Sequence, residues 1–114
     1  MPAPSTLIRG GTILDGTGQP SFVSDVRLRG NCIEAIDVDL PVNDSEIVDA
    51  AGLFVTPGLI DLHAHVYHGT GIFSVDPTAV GLATGVTTLL DAGSAGSLSY
   101  ETFSRYVCLL YTSD

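Results

Sequence analysis

The order of the elements predicted after Pro57 constrains the fold more than any other feature of the sequence. Residues 59–66 form a mostly apolar run, LIDLHAHV, and residues 86–90 form a second one, VTTLL. Such runs are typical of strands that are buried on both faces of a parallel sheet. Because helical segments separate and follow them, the sequence predicts right-handed strand–helix–strand units and an α/β fold.

Two short helices are predicted from their start and stop signals. Asp76 is positioned to cap the first helix, with Pro77 in its first turn and Gly85 at its carboxyl end. Ser99 is positioned to cap the second helix. The predicted order is therefore strand, helix, strand, helix.

The first 56 residues follow a different pattern. Short apolar pairs are separated by turn signals at residues 10–11 and 15–16, which predicts hairpins. Residues 26–29 alternate between apolar and basic side chains, as is typical of a strand with one exposed face. Further short strands are predicted at residues 33–36, 47–48 and 53–55. We therefore expect a half-exposed antiparallel sheet in this part of the chain.

We predict a domain boundary at residue 57 and a truncated α/β architecture. A parallel sheet of two strands does not stand alone, because barrels and doubly wound sheets need several further units. Residues 108–114, CLLYTSD, match the translation of an adapter used in sequencing libraries, so we interpret them as a non-native tail. The prediction is amino-terminal strands over residues 1–56, two strand–helix units over 57–107, and this tail.

The charge balance disfavours two classes of partner. Thirteen acidic residues against four basic ones give a net charge of −9, which repels nucleic-acid phosphates and anionic lipid surfaces. No apolar run approaches the roughly 18 residues that span a bilayer, and the first ten residues lack signal-peptide regions. We therefore expect a cytoplasmic protein. Its two cysteines, Cys32 and Cys108, are too few for a disulfide framework and are expected to be unpaired thiols.

Two histidines in the first strand after Pro57 have the spacing of metal ligands. His63 and His65 stand two residues apart, so their side chains leave one face of a strand about 6.6 Å apart along it. Asp61 shares that face. Both imidazoles can then reach one ion at roughly 2.0–2.1 Å. Ordinary polar histidine pairs share this spacing, but burying three polar side chains is unfavourable unless an ion or hydrogen bonds compensate. The context therefore predicts a metal site.

These residues carry a resemblance to a known enzyme family. The segment PGLIDLHAHV at 57–66 resembles the first barrel strand of the amidohydrolase superfamily. Residues 66–97 resemble its dihydroorotase-like branch of amidohydrolase/deacetylase metallohydrolases, and LIRGGTILDG with IVDAAGLFVTPG resembles the amino-terminal β-sandwich of that branch. The resemblance covers about residues 6–107. It implies the start of a (β/α)8 barrel, preceded by part of a small β-sandwich.

The resemblance also implies a metal centre and a reaction. His63 and His65 would bind the more buried ion of a centre with one or two Zn²⁺, and a metal-activated water would hydrolyse an amide (C–N) or acyl bond of a small molecule. The family's bridging carboxylated lysine, two further histidines and aspartate general base lie on later strands. No general base is therefore expected here, and the chain by itself is expected to be inactive. A homo-oligomer is compatible with the family.

Four further residues are candidates near this centre. Asp61 is expected to support a ligand or the neighbouring backbone rather than bind the metal. Tyr67 stands where dihydroorotases typically have an arginine that grips the substrate carboxylate, so a deacylase or another cyclic-amide hydrolase is favoured over a dihydroorotase. His68 either lines the substrate mouth or is a solvated loop histidine. Asp91 either faces the active site or makes a turn with the residues that follow it.

Two alternatives to a deacetylase stay open. One is a dihydroorotase or another cyclic amidase, since a basic residue elsewhere could replace the missing arginine. The other is a barrel homologue that has no catalytic activity and serves as a binding partner. The intact His63 and His65 argue against the second alternative.

Overall fold

The computed structural model describes residues 3–108 and divides between Pro57 and Gly58 into two compact units. The tail predicted over residues 108–114 lies outside the described residues except for Cys108. Cys32 and Cys108 are free thiols, as predicted, and both are exposed. No helix among residues 3–108 has the length and apolar character that crossing a membrane would need.

The first unit is a mixed β-sheet. The strands in its described part are β1 (Ser5–Ile13), β2 (Phe22–Arg29), β3 (Cys32–Asp37), β4 (Glu46–Asp49) and β5 (Phe54–Val55). On one side of β1, β2 pairs antiparallel with it, and β3 pairs antiparallel with β2. On the other side, β4 and β5 pair with β1 in the parallel direction. β1 is therefore the central strand of this unit.

The predicted antiparallel pairing is confirmed for β1, β2 and β3 but is wrong for β4 and β5. β4 runs parallel to β1 in a register that places Thr6 opposite Glu46, and β5 is parallel as well. Residues 38–45 carry the chain from β3 to the far edge of β1. The local alternation of side chains specifies which face of a strand is buried, but it does not specify which distant strand pairs with it.

The turn predicted at residues 10–11 is also wrong. β1 continues through both glycines, with a shift of register relative to β2 between Ile8 and Gly11. Gly10 adopts a φ of +69°, a conformation that costs glycine little. Its N–H donates to Oδ1 of Asp25, fifteen residues away, at 2.8 Å. The glycine pair therefore forms a bulge within one strand, because a distant carboxylate satisfies the displaced backbone group.

β1 and β2 carry the core of the first unit. Leu7 is fully buried, and Ile13 is nearly so. Asp25 of β2 is buried as well, and its two carboxylate oxygens accept the N–H groups of Gly10 and Leu40. The buried carboxylate is thus satisfied by backbone donors, and it ties the loop after β3 to the bulge in β1.

The second unit has the predicted order of strand, helix, strand and helix. Its described elements are β6 (Leu59–Ala64), α1 (Pro77–Val80), β7 (Val86–Asp91) and α2 (Tyr100–Phe103). A 3-10 turn at Leu82–Thr84 follows α1, and a π-helical turn at Ser104–Cys108 follows α2. β6 and β7 pair in the parallel direction. The predicted α/β class is therefore confirmed for this unit, whose described strands form a two-stranded sheet.

The capping signals are confirmed for the first helix but not for the second. Oδ1 of Asp76 accepts the N–H of Thr78 at 2.8 Å, and Gly85 ends the 3-10 turn with a φ of +82°. Ser99 stands directly before α2, but its Oγ accepts the N–H of Gly96 at 3.0 Å and makes no capping bond to the helix. The prediction at Ser99 is therefore right in position and wrong in the hydrogen bond.

The predicted burial of both strand faces is wrong in this chain. Leu62 is 70% exposed, and Ile60 and Leu90 are exposed too. Among the described residues, β6 and β7 have only each other as partners, and the two helices of four residues each are too short to cover both faces. The buried apolar cluster of this unit comprises Val66, Tyr67 and Phe103.

The amino-terminal ends of β6 and β7 are closely packed. A Cβ at Gly58, which precedes β6, would collide with the side chain of Thr87. A Cβ at Gly81 would lie 2.5 Å from the carbonyl oxygen of Pro77. The carbonyl of Gly81 also accepts the N–H of Val86 at 3.1 Å. At this end of the sheet there is therefore no room for a Cβ at either glycine.

Candidate metal centre

His63 and His65 lie at the carboxyl end of β6. The strand ends at Ala64, two residues earlier than predicted, so His63 belongs to the strand and His65 follows it. The ring centroids of the two histidines are 5.6 Å apart, and the ring planes are inclined by 75°. Two imidazoles that bind one tetrahedral ion at about 2.0–2.1 Å hold their centroids about 5 Å apart. The observed separation is therefore close to what a shared ion requires.

The chemistry of this pair fits part of a zinc centre. Imidazole nitrogen is a common zinc ligand, but a catalytic site uses three protein ligands and an open position. Within residues 3–108, no group of three or more His, Cys, Asp or Glu side chains is arranged to hold an ion. His63 and His65 could therefore supply two of these ligands.

Asp61 supports the backbone beside the pair. It is partly buried in β6, and its Oδ1 accepts the N–H of His63 at 2.9 Å. This contact corresponds to the expectation that Asp61 holds neighbouring backbone. Its influence on a bound metal stays a prediction.

Asp91 joins the ends of the two strands. It is the last residue of β7; its Oδ2 accepts the N–H of Val66 at 2.9 Å. Its Oδ1 accepts the N–H groups of Gly93 at 3.0 Å and Ser94 at 2.6 Å. Partial burial raises the pKa of Asp91, but the hydrogen bonds outweigh burial and bring the pKa below its ordinary value of 3.8. Asp91 therefore makes the predicted turn and also fixes the residue that follows His65.

Ser94 is a site residue that the sequence pattern does not reveal. Its Oγ lies 3.0 Å from Nδ1 of His65, and both residues are partly buried. The available signal is indirect. Asp91 ends a strand parallel to β6, so the loop that follows it meets the loop that follows β6. A serine in such a loop is too ordinary for the sequence alone to select it.

Tyr67 and His68 have neighbours other than the histidine pair. Tyr67 is buried, and its ring makes a T-shaped contact with the ring of Phe103, at a centroid distance of 5.3 Å and an interplanar angle of 62°. His68 is exposed and lines a cleft of about 250 Å³ together with Asp76 and Tyr106. In the part of the chain that the structure describes, neither side chain hydrogen-bonds to the histidine pair. Their contacts with substrate stay predictions.

No family model matches the chain, but named enzymes are similar to it in sequence. A deacetylase of Agrobacterium fabrum is 45% identical over 64 residues, which are 56% of this chain and 16% of that protein. A dihydroorotase of Bacillus pumilus is 47% identical over 62 residues, which are 54% of this chain and 14% of that protein. The chain therefore matches only a small part of the length of these relatives.

Solved structures share the fold over most of the chain. A dihydroorotase structure aligns with a TM-score of 0.79 and 32% identity over 91% of this chain and 27% of that one. A D-hydantoinase structure aligns with a TM-score of 0.67 and 26% identity over 89% of this chain and 24% of that one. Sequence and fold thus lead to the same group of enzymes and confirm the predicted resemblance to the amidohydrolase superfamily.

Proposed function

We propose that the full-length protein carrying this chain is a metal-dependent hydrolase of the deacetylase type, which cleaves amide (C–N) or acyl bonds of small molecules. The observation that carries the proposal is the pair His63 and His65, whose rings lie 5.6 Å apart at the carboxyl end of a parallel strand. Ligands and reactive groups of parallel α/β folds collect at that end of the strands. The similarity in sequence to a deacetylase supports the reaction class.

The residues of this chain would hold and orient a divalent ion, with one or two Zn²⁺ expected. When bound, such an ion lowers the pKa of a water molecule and polarises the substrate carbonyl. His63 and His65 would bind it through ring nitrogens. Asp61 holds the N–H of His63, and Asp91 holds that of Val66, so the backbone on either side of the ligands is fixed. The remaining ligands and the general base are expected outside the described residues.

The proposal includes the architecture around this centre. The second unit would be the start of a (β/α)8 barrel, and residues 1–56 would be part of a small β-sandwich. The exposed apolar side chains of β6 and β7 support the barrel, because further strands and helices would cover them.

A deacetylase fits the chain better than a dihydroorotase does. Tyr67 stands where dihydroorotases typically carry an arginine, and its ring packs against Phe103. A phenol supplies no positive charge for a substrate carboxylate. A dihydroorotase or other cyclic amidase is the second candidate, supported by the structural alignment with a dihydroorotase. A non-catalytic barrel homologue is the third.

Metal analysis of the purified full-length protein tests the metal centre. We expect stoichiometric zinc, or a similar divalent ion, in the wild type and its loss in a His63→Ala, His65→Ala double variant. His68→Ala is the matched control, because it removes an exposed imidazole outside the pair and should leave the metal content unchanged. Metal that persists in the double variant would contradict the ligand assignment.

Kinetics on two substrate panels test the reaction. We expect a higher kcat/KM for N-acyl amino acids and acyl esters than for dihydroorotate. Efficient turnover of dihydroorotate would favour the second candidate instead. Metal-loaded, folded protein that turns over neither panel would favour the non-catalytic homologue.

A further inference from the structure

The loop residue Ser94 contacts both His65 and Asp91. Its Oγ is 3.0 Å from Nδ1 of His65, and its backbone N–H donates to Oδ1 of Asp91 at 2.6 Å. Asp91 is fixed in turn by the N–H groups of Val66 and Gly93. The loop after β7 is thereby connected to the ring of a candidate ligand after β6.

This contact bears on which nitrogen of His65 can bind a metal. A neutral imidazole has one N–H and one nitrogen with a free lone pair, and only the latter is a ligand. If Ser94 Oγ accepts a hydrogen bond from the Nδ1–H group, then Nε2 is the ligand nitrogen. If the hydroxyl donates to Nδ1, then Nε2 carries the proton and cannot bind.

The carboxylate of Asp91 favours the first arrangement. Oδ1 of this carboxylate lies 2.6 Å from the backbone nitrogen of Ser94, and a negative charge so close to the residue attracts the hydroxyl proton and leaves the oxygen lone pairs for Nδ1 of His65. The Ser94 hydroxyl in turn affects the pKa of the Asp91 carboxyl group. Burial raises the pKa of Asp91, whereas hydrogen bonds from Val66 and from the N–H and side chain of Ser94 lower it.

We propose that Ser94, oriented by Asp91, is a positioning residue that keeps Nδ1 of His65 protonated and leaves Nε2 as the metal-binding nitrogen. The arrangement corresponds to the carboxylate–histidine pairs that fix metal-bound imidazoles elsewhere, with a hydroxyl inserted between the two groups. The ring of His63 has no hydrogen-bond partner within residues 3–108, so only His65 is fixed in this way. The inference rests on the proposed function only in taking His65 as a ligand.

The direct test is the tautomer of His65 in the metal-free full-length protein. Nitrogen-15 NMR of labelled histidines should show His65 predominantly with Nδ1 protonated, and Ser94→Ala should convert it to a mixture of tautomers. His63 is the internal control and should not change. A wild-type His65 with Nε2 protonated, or an unchanged tautomer in Ser94→Ala, would overturn the proposal.

Metal affinity is the second readout. Competition titration with a zinc chelator should show affinity reduced about 10- to 100-fold in Ser94→Ala. Ser94→Thr keeps the hydroxyl and should restore affinity to within a few-fold of wild type. Wild-type affinity in Ser94→Ala would overturn the proposal, whereas loss in both variants with an unchanged thermal transition would show that the hydroxyl alone is not sufficient and would also overturn it.

The two proposals can fail separately. If the wild type binds no metal, the proposed function fails, and the tautomer in metal-free protein still decides the role of Ser94. If the double histidine variant loses metal while Ser94→Ala changes neither tautomer nor affinity, the proposed function stands and this inference fails.

Discussion

The two units of this chain contain similar kinds of strand but differ in how far they bury them. In the first unit, β1 has neighbours along both edges, and Leu7 in that strand is fully buried. In the second unit, β6 has one described neighbour, and Leu62 in that strand is 70% exposed. An apolar side chain in a strand therefore becomes core only when further elements pack around that strand.

The two units also differ in how their polar side chains are used. In the first unit, the buried carboxylate of Asp25 accepts the backbone N–H groups of Gly10 and Leu40 and so serves the fold. The polar groups of the second unit collect where the parallel strands end, and His63 there is exposed. The less covered unit carries the candidate site, because a metal centre needs side chains whose hydrogen-bonding capacity is not already used.

The largest expected effect concerns the 114-residue chain made alone. We expect no metal-dependent turnover and no cooperative unfolding of β6 and β7, because their apolar faces have no cover. Denaturant unfolding followed by amide hydrogen exchange would compare the two units directly. Protected amides in β6 and β7 of a soluble monomer would contradict the expected difference in stability between the two units. Hydrolysis of N-acyl amino acids above the buffer rate would contradict the expected lack of turnover.

A pair of leucine variants sharpens the comparison in the full-length protein. Leu7→Ala should lower the free energy of unfolding by about 2–5 kcal/mol, since it leaves a cavity in the core of the first unit. Leu62→Ala should have a cost in the same range if a barrel covers β6. A cost for Leu62→Ala below about 0.5 kcal/mol, the usual size of a surface effect, would mean that this face stays exposed and the barrel is absent.

The smallest expected effect is a response to acid at one turn in each unit. In the first unit, the pKa of Asp15 is lowered chiefly by the hydrogen bond from the N–H of Thr17. In the second unit, burial raises the pKa of Asp91, but hydrogen bonds bring it below 3.8. A lowered folded pKa contributes stability that is present above the unfolded value and is lost as pH falls below about 4. Carbon-13 NMR titration of the full-length protein should place both carboxyls below 3.8. Asp91→Asn should flatten the acid limb of the stability curve, and an Asp91 that titrates at or above 3.8 would contradict the hydrogen bonding described for it.

Local signals were the part of this fold that the sequence could predict. The apolar runs of β6 and β7, the cap at Asp76 and the two-residue spacing of His63 and His65 all depend on neighbours within one element. Periodicity and capping chemistry encode such features directly.

Features that depend on distant partners were not predictable in the same way. Gly10 forms a bulge rather than a turn because Asp25 accepts its N–H, and β4 joins β1 in parallel across more than thirty residues of chain. Ser94 reaches His65 across 29 residues, and a single serine carries no pattern that would predict this contact. Each of these contacts depends on the tertiary arrangement of the chain and not on residues that are neighbours in the sequence.

The close packing at Gly58 and Gly81 has a consequence for how this part of the protein can change. At the amino-terminal ends of β6 and β7, any added carbon meets Thr87 or the carbonyl of Pro77, so substitutions there act on assembly of the sheet. At the opposite ends, loops of ordinary residues surround the histidine pair, and His68 is exposed among them. Under the proposed function, substitutions that change substrate preference would therefore accumulate in the loops at one end while the other end stays unchanged, and a library that seeks new substrates is best confined to those loops.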